Sequence, residues 1–174
     1  DGDDALRTRL DIERYISKDS LAWDAYLTRA WFAMQDSAWT DAERDLLTAQ
    51  QMQPAETSIP DQLGYLYLLM GEYAKAKAVL DTLVVQSPTN AFARANLGYA
   101  QLQLGDADAA LKDIQQAIKL DEYEPRCFYY RAAVYHAQKK PAKACEDLKT
   151  AEELGFIDYY GEAELVALKK KACN

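Results

Sequence analysis

The sequence predicts an all-α fold built from stacked antiparallel helix pairs, and three observations carry that prediction. The segment 63–76, LGYLYLLMGEYAKA, is answered 34 residues later by 97–110, LGYAQLQLGDADAA; recurrence at a fixed period of this size marks a repeat array. Set in gapless rows of 34 from Trp23, Thr57, Ala91 and Pro125, the chain shows two columns of small residues: Ala30, Gly64, Gly98 and Ala132 at column 8, and Ala42, Ala76, Ala110 and Ala144 at column 20. Two more columns are apolar throughout: Leu46, Leu80, Ile114 and Leu148 at column 24, and Ala49, Leu83, Ala117 and Ala151 at column 27. Small residues let two helix backbones approach closely, and aliphatic columns three residues apart place a buried stripe on one helical face.

The elements follow in order. Residues 4–17 put Leu6, Leu10 and Ile12 on a helical stripe in the register of the second helix of a preceding row, so residues 1–22 are expected to form an N-terminal half-repeat helix. Rows 23–56, 57–90, 91–124 and 125–158 each read as helix, turn, helix, turn. Thr40 to Glu43 reads as a capping box, Asp106 as a helix cap, and Pro125 and Pro141 suit first helical turns. Gly71, Gly105 and Gly155 sit where helices should stop. Pro54 and Pro88, both at column 32, end the second helices of their rows, because proline cannot continue the backbone ladder. Residues 159–174 carry Ala163, Leu165, Val166 and Leu168 and then Lys169, Lys170 and Lys171. The positive charge suits a helix C-terminus, so a capping helix is expected there. No Gly/Ser-rich linker interrupts the chain, which predicts one domain over 1–174.

The arrangement resembles the tetratricopeptide repeat, most closely in the second row through Leu63, Gly64, Tyr67, Ala76, Leu80 and Pro88. The resemblance extends over residues 23–156. It implies a right-handed α-solenoid of four such units, flanked by the half-repeat helix and the capping helix. There are departures: Arg29 and Arg131 replace the usual leucine at column 7, Ala33 and Gln101 replace tyrosine at column 11, and Phe156 stands at the column of the closing proline.

Composition narrows the function. Twenty basic and 28 acidic side chains give a net charge of -8, the wrong sign for gripping nucleic acid or anionic lipid. No apolar run approaches the roughly 20 residues that span a bilayer. No CxxC, HExxH, P-loop or GxGxxG occurs, and the only histidine, His136, lies in no recognisable nucleophile context. Asp106 and Asp108 lack the glycine and terminal glutamate of a calcium loop. The sequence therefore predicts no catalytic residue, no metal site and no cofactor.

The resemblance implies instead that the first helices of the rows line a concave groove through columns 2, 5, 9, 12 and 13. Column 5 gives Leu27, Asp61, Ala95 and Tyr129; column 9 gives Trp31, Tyr65 and Tyr99; column 12 gives Met34, Leu68, Leu102 and His136. Aromatic side chains bury large area with few torsions, so the expected partner is an apolar or aromatic-rich peptide or helix of another protein. The competing reading is that column 9 packs on neighbouring helices. A further alternative is a structural subunit or homodimer using the same surface or the half-repeat. Some family members grip a C-terminal carboxylate with Lys and Asn at columns 5 and 9 of one row and Asn at column 6 of the next. Leu27, Trp31 and Gln62 stand there, so that clamp is absent; Arg94, Asn96, Arg126 and Arg131 are expected to make the downstream end somewhat positive.

Cys145 lies near the start of the fourth row's second helix and Cys173 near the end of the capping helix. If the capping helix runs antiparallel to that second helix, the two reach the ~4.4 to 6.8 Å Cα separation that a disulfide needs; the alternative is a pair of reduced thiols. Cys127 is expected to be an unpaired packing residue. The C-terminal KACEDLKTAEELGF and final ACN are similar to the ends of exported tetratricopeptide proteins of Bacteroidetes-type bacteria. With a start at Asp1 rather than Met, this leads to the expectation of a periplasmic or cell-envelope protein whose leader has been removed, with the cytoplasm as the alternative.

Overall fold

The computed structural model describes residues 2–19 and 22–173, with side chains from Thr8 onward. Leu6 thus lies outside the described side chains. Every regular element among the described residues is a helix. The chain divides into two compact units, Asp1–Glu72 and Tyr73–Asn174.

The first unit holds α1 (Gly2–Lys18), α2 (Trp23–Gln35), α3 (Trp39–Met52) and α4 (Ser58–Leu69). Ala30, Ala42, Leu46 and Ala49 are fully buried, as the small and apolar columns require. α1 is fastened to α2 by polar contacts. Arg9 Nη1 and Nη2 donate to Asp36 at 2.5 and 3.1 Å, and Arg29 Nη1 donates to Glu13 at 3.0 and 3.2 Å.

The turn between α2 and α3 differs from the sequence expectation. Ser37 adopts a left-handed conformation (φ 57°), and Ala38 N–H donates to Ala33 C=O at 2.8 Å. That tight closure starts α3 at Trp39, with Ala38 as an N-cap that makes no side-chain bond. Thr40 therefore sits inside the helix and forms no capping box. Column 15 is left-handed in all four rows, as Ser37, Gly71, Gly105 and Lys139. Two rows use glycine there; the other two accept a strain of roughly 1–2 kcal/mol.

The second unit holds α5 (Tyr73–Gln86), α6 (Ala91–Gln103), α7 (Ala107–Leu120), α8 (Pro125–Ala137), α9 (Pro141–Glu153), α10 (Phe156–Tyr160) and α11 (Glu162–Ala172). Side chains cap the starts of α6, α7 and α8: Asn90 accepts from Ala93 N–H at 2.9 Å, Asp106 from Ala109 N–H at 3.0 Å, and Glu124 from Arg126 N–H at 3.0 Å. Gly98 shows why column 8 must be small. A Cβ there would lie 2.6 Å from Ile114 Cγ1 and 3.0 Å from the Ala110 carbonyl oxygen, so α6 and α7 touch backbone to backbone.

One core cluster joins Ala95, Ile114 and Ala117 to Cys127, Tyr130 and Val134. A second joins Ala132, Ala144, Leu148 and Ala151 to Phe156, Leu165 and Ala172. The second cluster explains the missing proline at column 32. Phe156, 1% exposed, starts an extra short helix, and Gly161 (φ 87°) then turns the chain into α11. The capping helix consequently starts at Glu162, later than the sequence suggested, because Phe156 contributes a ring to the core where the family places a stop.

Candidate functional site

On α2, columns 2, 5 and 9 put Asp24, Leu27 and Trp31 three and four residues apart, on one helical face. On α4 the same spacing aligns Ser58, Asp61 and Tyr65. Trp31 is 50% exposed and meets Phe32 edge-on at 5.0 Å. Leu27, Asp61 and Tyr65 are half-buried. Met34 and Leu68, expected on the same wall, are 6% and 7% exposed. Column 12 points too far into the helix packing in these rows to meet a ligand, so both are corrected to core residues.

In the second unit, Tyr99, Leu102 and Tyr129 are half-buried and His136 is exposed near the end of α8. Ala95 is fully buried in the α6–α7–α8 core and is likewise corrected to packing. The aromatic residues form a continuous ladder. Tyr99 stacks on Tyr130 at 4.3 Å, Tyr130 neighbours Tyr129 at 6.0 Å, Tyr129 stacks on Phe156 at 4.6 Å, and Phe156 meets Tyr160 at 5.0 Å. Tyr99 thus packs on the neighbouring row while keeping an outer edge; it belongs partly to core and partly to surface.

Burial is the largest influence on these hydroxyls. It pushes Tyr99 up to about 12, with Tyr73 and Glu164 adding repulsion, and pushes Tyr129 above the ordinary tyrosine range with Glu164 again contributing. Tyr160, which donates to Glu124 at 2.9 Å, rises to about 12. In the first unit Tyr67, which donates to Glu43 at 2.9 Å, does the same. An unfolded tyrosine ionises near pH ~10, so above that pH the unfolded chain has lost protons that the native chain retains. Native stability should be intact below pH ~10 and fall progressively toward pH 12. Circular dichroism melts at a series of pH values check this: the melting midpoint should hold up to pH ~10 and fall between there and pH ~12.

The arginines that interrupt the leucine column are paired. Arg29 Nε and Nη2 donate to the two Asp45 oxygens at 2.6 and 2.7 Å. Arg131 makes the same fork to Asp147 at 2.8 and 2.7 Å. Both aspartates, at column 23, are buried. In the third row Leu97 keeps column 7, and Asp113 is held instead by Arg94 and Gln101 at 3.1 and 2.9 Å. Arg126 lies 4.4 Å over the Tyr160 ring and donates to Asn96 at 3.3 Å. Of the arginines expected to make the downstream end positive, Arg94 and Arg131 are therefore neutralised by carboxylates. Reading columns 7 and 23 together, as Arg with Asp in two rows and Leu63 with Val79 in another, would have revealed the pairs.

A disulfide links Cys145 to Cys173, with Cα atoms 5.6 Å apart. It ties the end of α11 to the start of α9, and Lys169 Nζ reaches Glu152 at 2.6 Å on the same interface. Cys127 is buried, and desolvation lifts its thiol to about 12, which leaves it protonated and unreactive. Among the described residues, no group of three His, Cys, Asp or Glu side chains is arranged to hold a metal ion. No described helix is long and apolar enough to cross a membrane.

Helix pairs with small contact columns, left-handed turns at a fixed column and a closing cap define a repeat scaffold of the α-solenoid class. The tetratricopeptide repeat family model matches residues 62–125 and 96–155, and the chain belongs to that family. Its fold is that of a protein–protein interaction scaffold. The human tetratricopeptide repeat protein 34 is 27% identical over 93 residues, which is 53% of this chain and 16% of that protein; this chain thus spans a small part of that relative. Among solved structures, the type IV pilus biogenesis factor PilW aligns with a TM-score of 0.80 at 18% identity over 99% of this chain and 80% of its own. A tetratricopeptide repeat protein from Parabacteroides merdae aligns at 0.78 and 18% identity over 98% and 66%. YrrB, described as having an unusual peptide-binding site, aligns at 0.66 and 18% identity over 97% and 84%. At these identities the likeness is one of fold.

Proposed function

We propose that this chain is a noncatalytic scaffold that holds an apolar or aromatic-rich segment of a partner protein, extended or helical, against the first-helix faces that columns 5 and 9 form on α2 and α4 of its first unit. The observation that carries this is Trp31, an indole 50% exposed on a helical face with Leu27. Burying such a ring against a partner is worth on the order of 2 kcal/mol or more. YrrB, a relative in fold, is described as binding peptides, which supports the same use of the scaffold here.

The Cys145–Cys173 bond supports an oxidising compartment, the periplasm or cell envelope, because disulfides are rare in the reducing cytosol.

Trp31→Ala should abolish capture of the partner by the immobilised protein and shift the melting midpoint by no more than a few degrees. Tyr99→Ala is the poorer probe, since it also removes the stack on Tyr130. Capture that survives Trp31→Ala, or helicity that collapses with it, would contradict the reading.

A further inference from the structure

The net charge of the chain falls within one of its units. Residues 1–72 carry 14 Asp and Glu against 6 Lys and Arg, whereas residues 73–174 carry 14 of each. The net charge of -8 therefore belongs to the first unit. Within that unit the described arginines are already engaged: Arg9 with Asp36, Arg29 with Asp45 and Glu13, Arg44 with Asp41, and Arg14 with Asp11.

Asp24 sits on the same face of α2 as Leu27 and Trp31, and it is exposed. It also lines, with Asp11, a shallow recess of about 250 Å³ between α1 and α2 whose remaining walls include Ile12, Tyr15 and Ala25. Tyr15 is 51% exposed there. The Arg14 contact to Asp11 is long, 3.5 Å between side chains that are both more than 70% exposed, and yields readily to a better cation. A recess with carboxylates at its rim and apolar side chains along its wall fits a side chain that is aliphatic along its stem and cationic at its tip. Lysine and arginine are the residues built that way.

We infer that the segment bound by the first unit is basic: a peptide that places a Lys or Arg side chain in the Asp11–Asp24 recess and an apolar side chain beside Trp31. This rests on the proposed binding face and assigns the chemistry of its partner. Electrostatic complementarity of this kind selects partners and accelerates their encounter, and its contribution declines with salt.

The test uses two synthetic peptides with the same Leu and Trp positions, one with Lys and one with Glu at the intervening positions, titrated by fluorescence anisotropy. The Lys peptide should bind at least about tenfold more tightly than the Glu peptide at ~50 mM salt, and the preference should shrink to about twofold at ~500 mM. The same loss of preference is expected in the Asp11→Asn/Asp24→Asn variant, with Trp31→Ala weakening both peptides. Equal affinity for the two peptides, lost in Trp31→Ala, would overturn the basic partner and leave the binding face standing. Lys-peptide affinity that falls in the Asn variant but not in Trp31→Ala would overturn the binding face and keep the basic partner. Failure of the Lys peptide to bind, or a preference unmoved by both salt and the Asn variant, would overturn the inference itself.

Discussion

Asp147→Ala should destabilise the second unit by about 3 kcal/mol, the loss expected when one member of a buried ion pair is removed. Both Asp147 oxygens accept from Arg131, whose guanidinium lies between the Phe128 and Tyr135 rings at 5.4 and 5.9 Å. Without the carboxylate, a charge whose side chain is only 22% exposed loses both hydrogen bonds of its fork. The fork is a solution to packing rather than a source of stability in itself, because desolvating two ions offsets most of their attraction. The double variant Arg131→Leu/Asp147→Val installs the pair that the second row carries at the same columns, Leu63 and Val79. It should return to within about 1 kcal/mol of the parent in urea denaturation, or exceed it. A single variant as stable as the parent, or a double variant as unstable as the single, would show that the pair does not organise this helix contact.

Reduction of the Cys145–Cys173 bond should lower stability by about 3.5 kcal/mol, from the chain entropy restored to a loop whose ends are 28 residues apart. The loss should concentrate in α11, whose other attachments include Leu165, Leu168, Ala172 and the Lys169–Glu152 pair. Denaturation with and without reductant measures the difference, and hydrogen exchange locates it. Thiol titration of the denatured, nonreduced protein should find one free thiol, that of Cys127; three would contradict both the link and the oxidising address.

Much of the fold was legible in the sequence because helix pairs are specified by short-range patterns. Columns 8, 20, 24 and 27 each fix a residue type at a fixed spacing, and Gly98 at column 8 touches its neighbours as tightly as that logic demands. The column 7 arginines were legible only as departures, since each finds its partner 16 residues away on the paired helix. Thr40 read as a cap because a capping box is a local motif, while the left-handed Ser37 that pre-empted it has no glycine to announce it. The proposed binding face was legible in part. Column 9 kept Trp31 exposed, whereas Met34, Leu68 and Ala95 went to the core, because exposure at columns 5 and 12 depends on how closely the next helix packs and not on the column's own residues.

The most direct measurement places a photoreactive phenylalanine analogue either at Trp31, on the first-helix face of α2, or at Leu47, 39% exposed on α3, and identifies the partner cross-linked in cells. The proposed function predicts a partner adduct from position 31 and none from position 47. An adduct from 47 with none from 31 would contradict it.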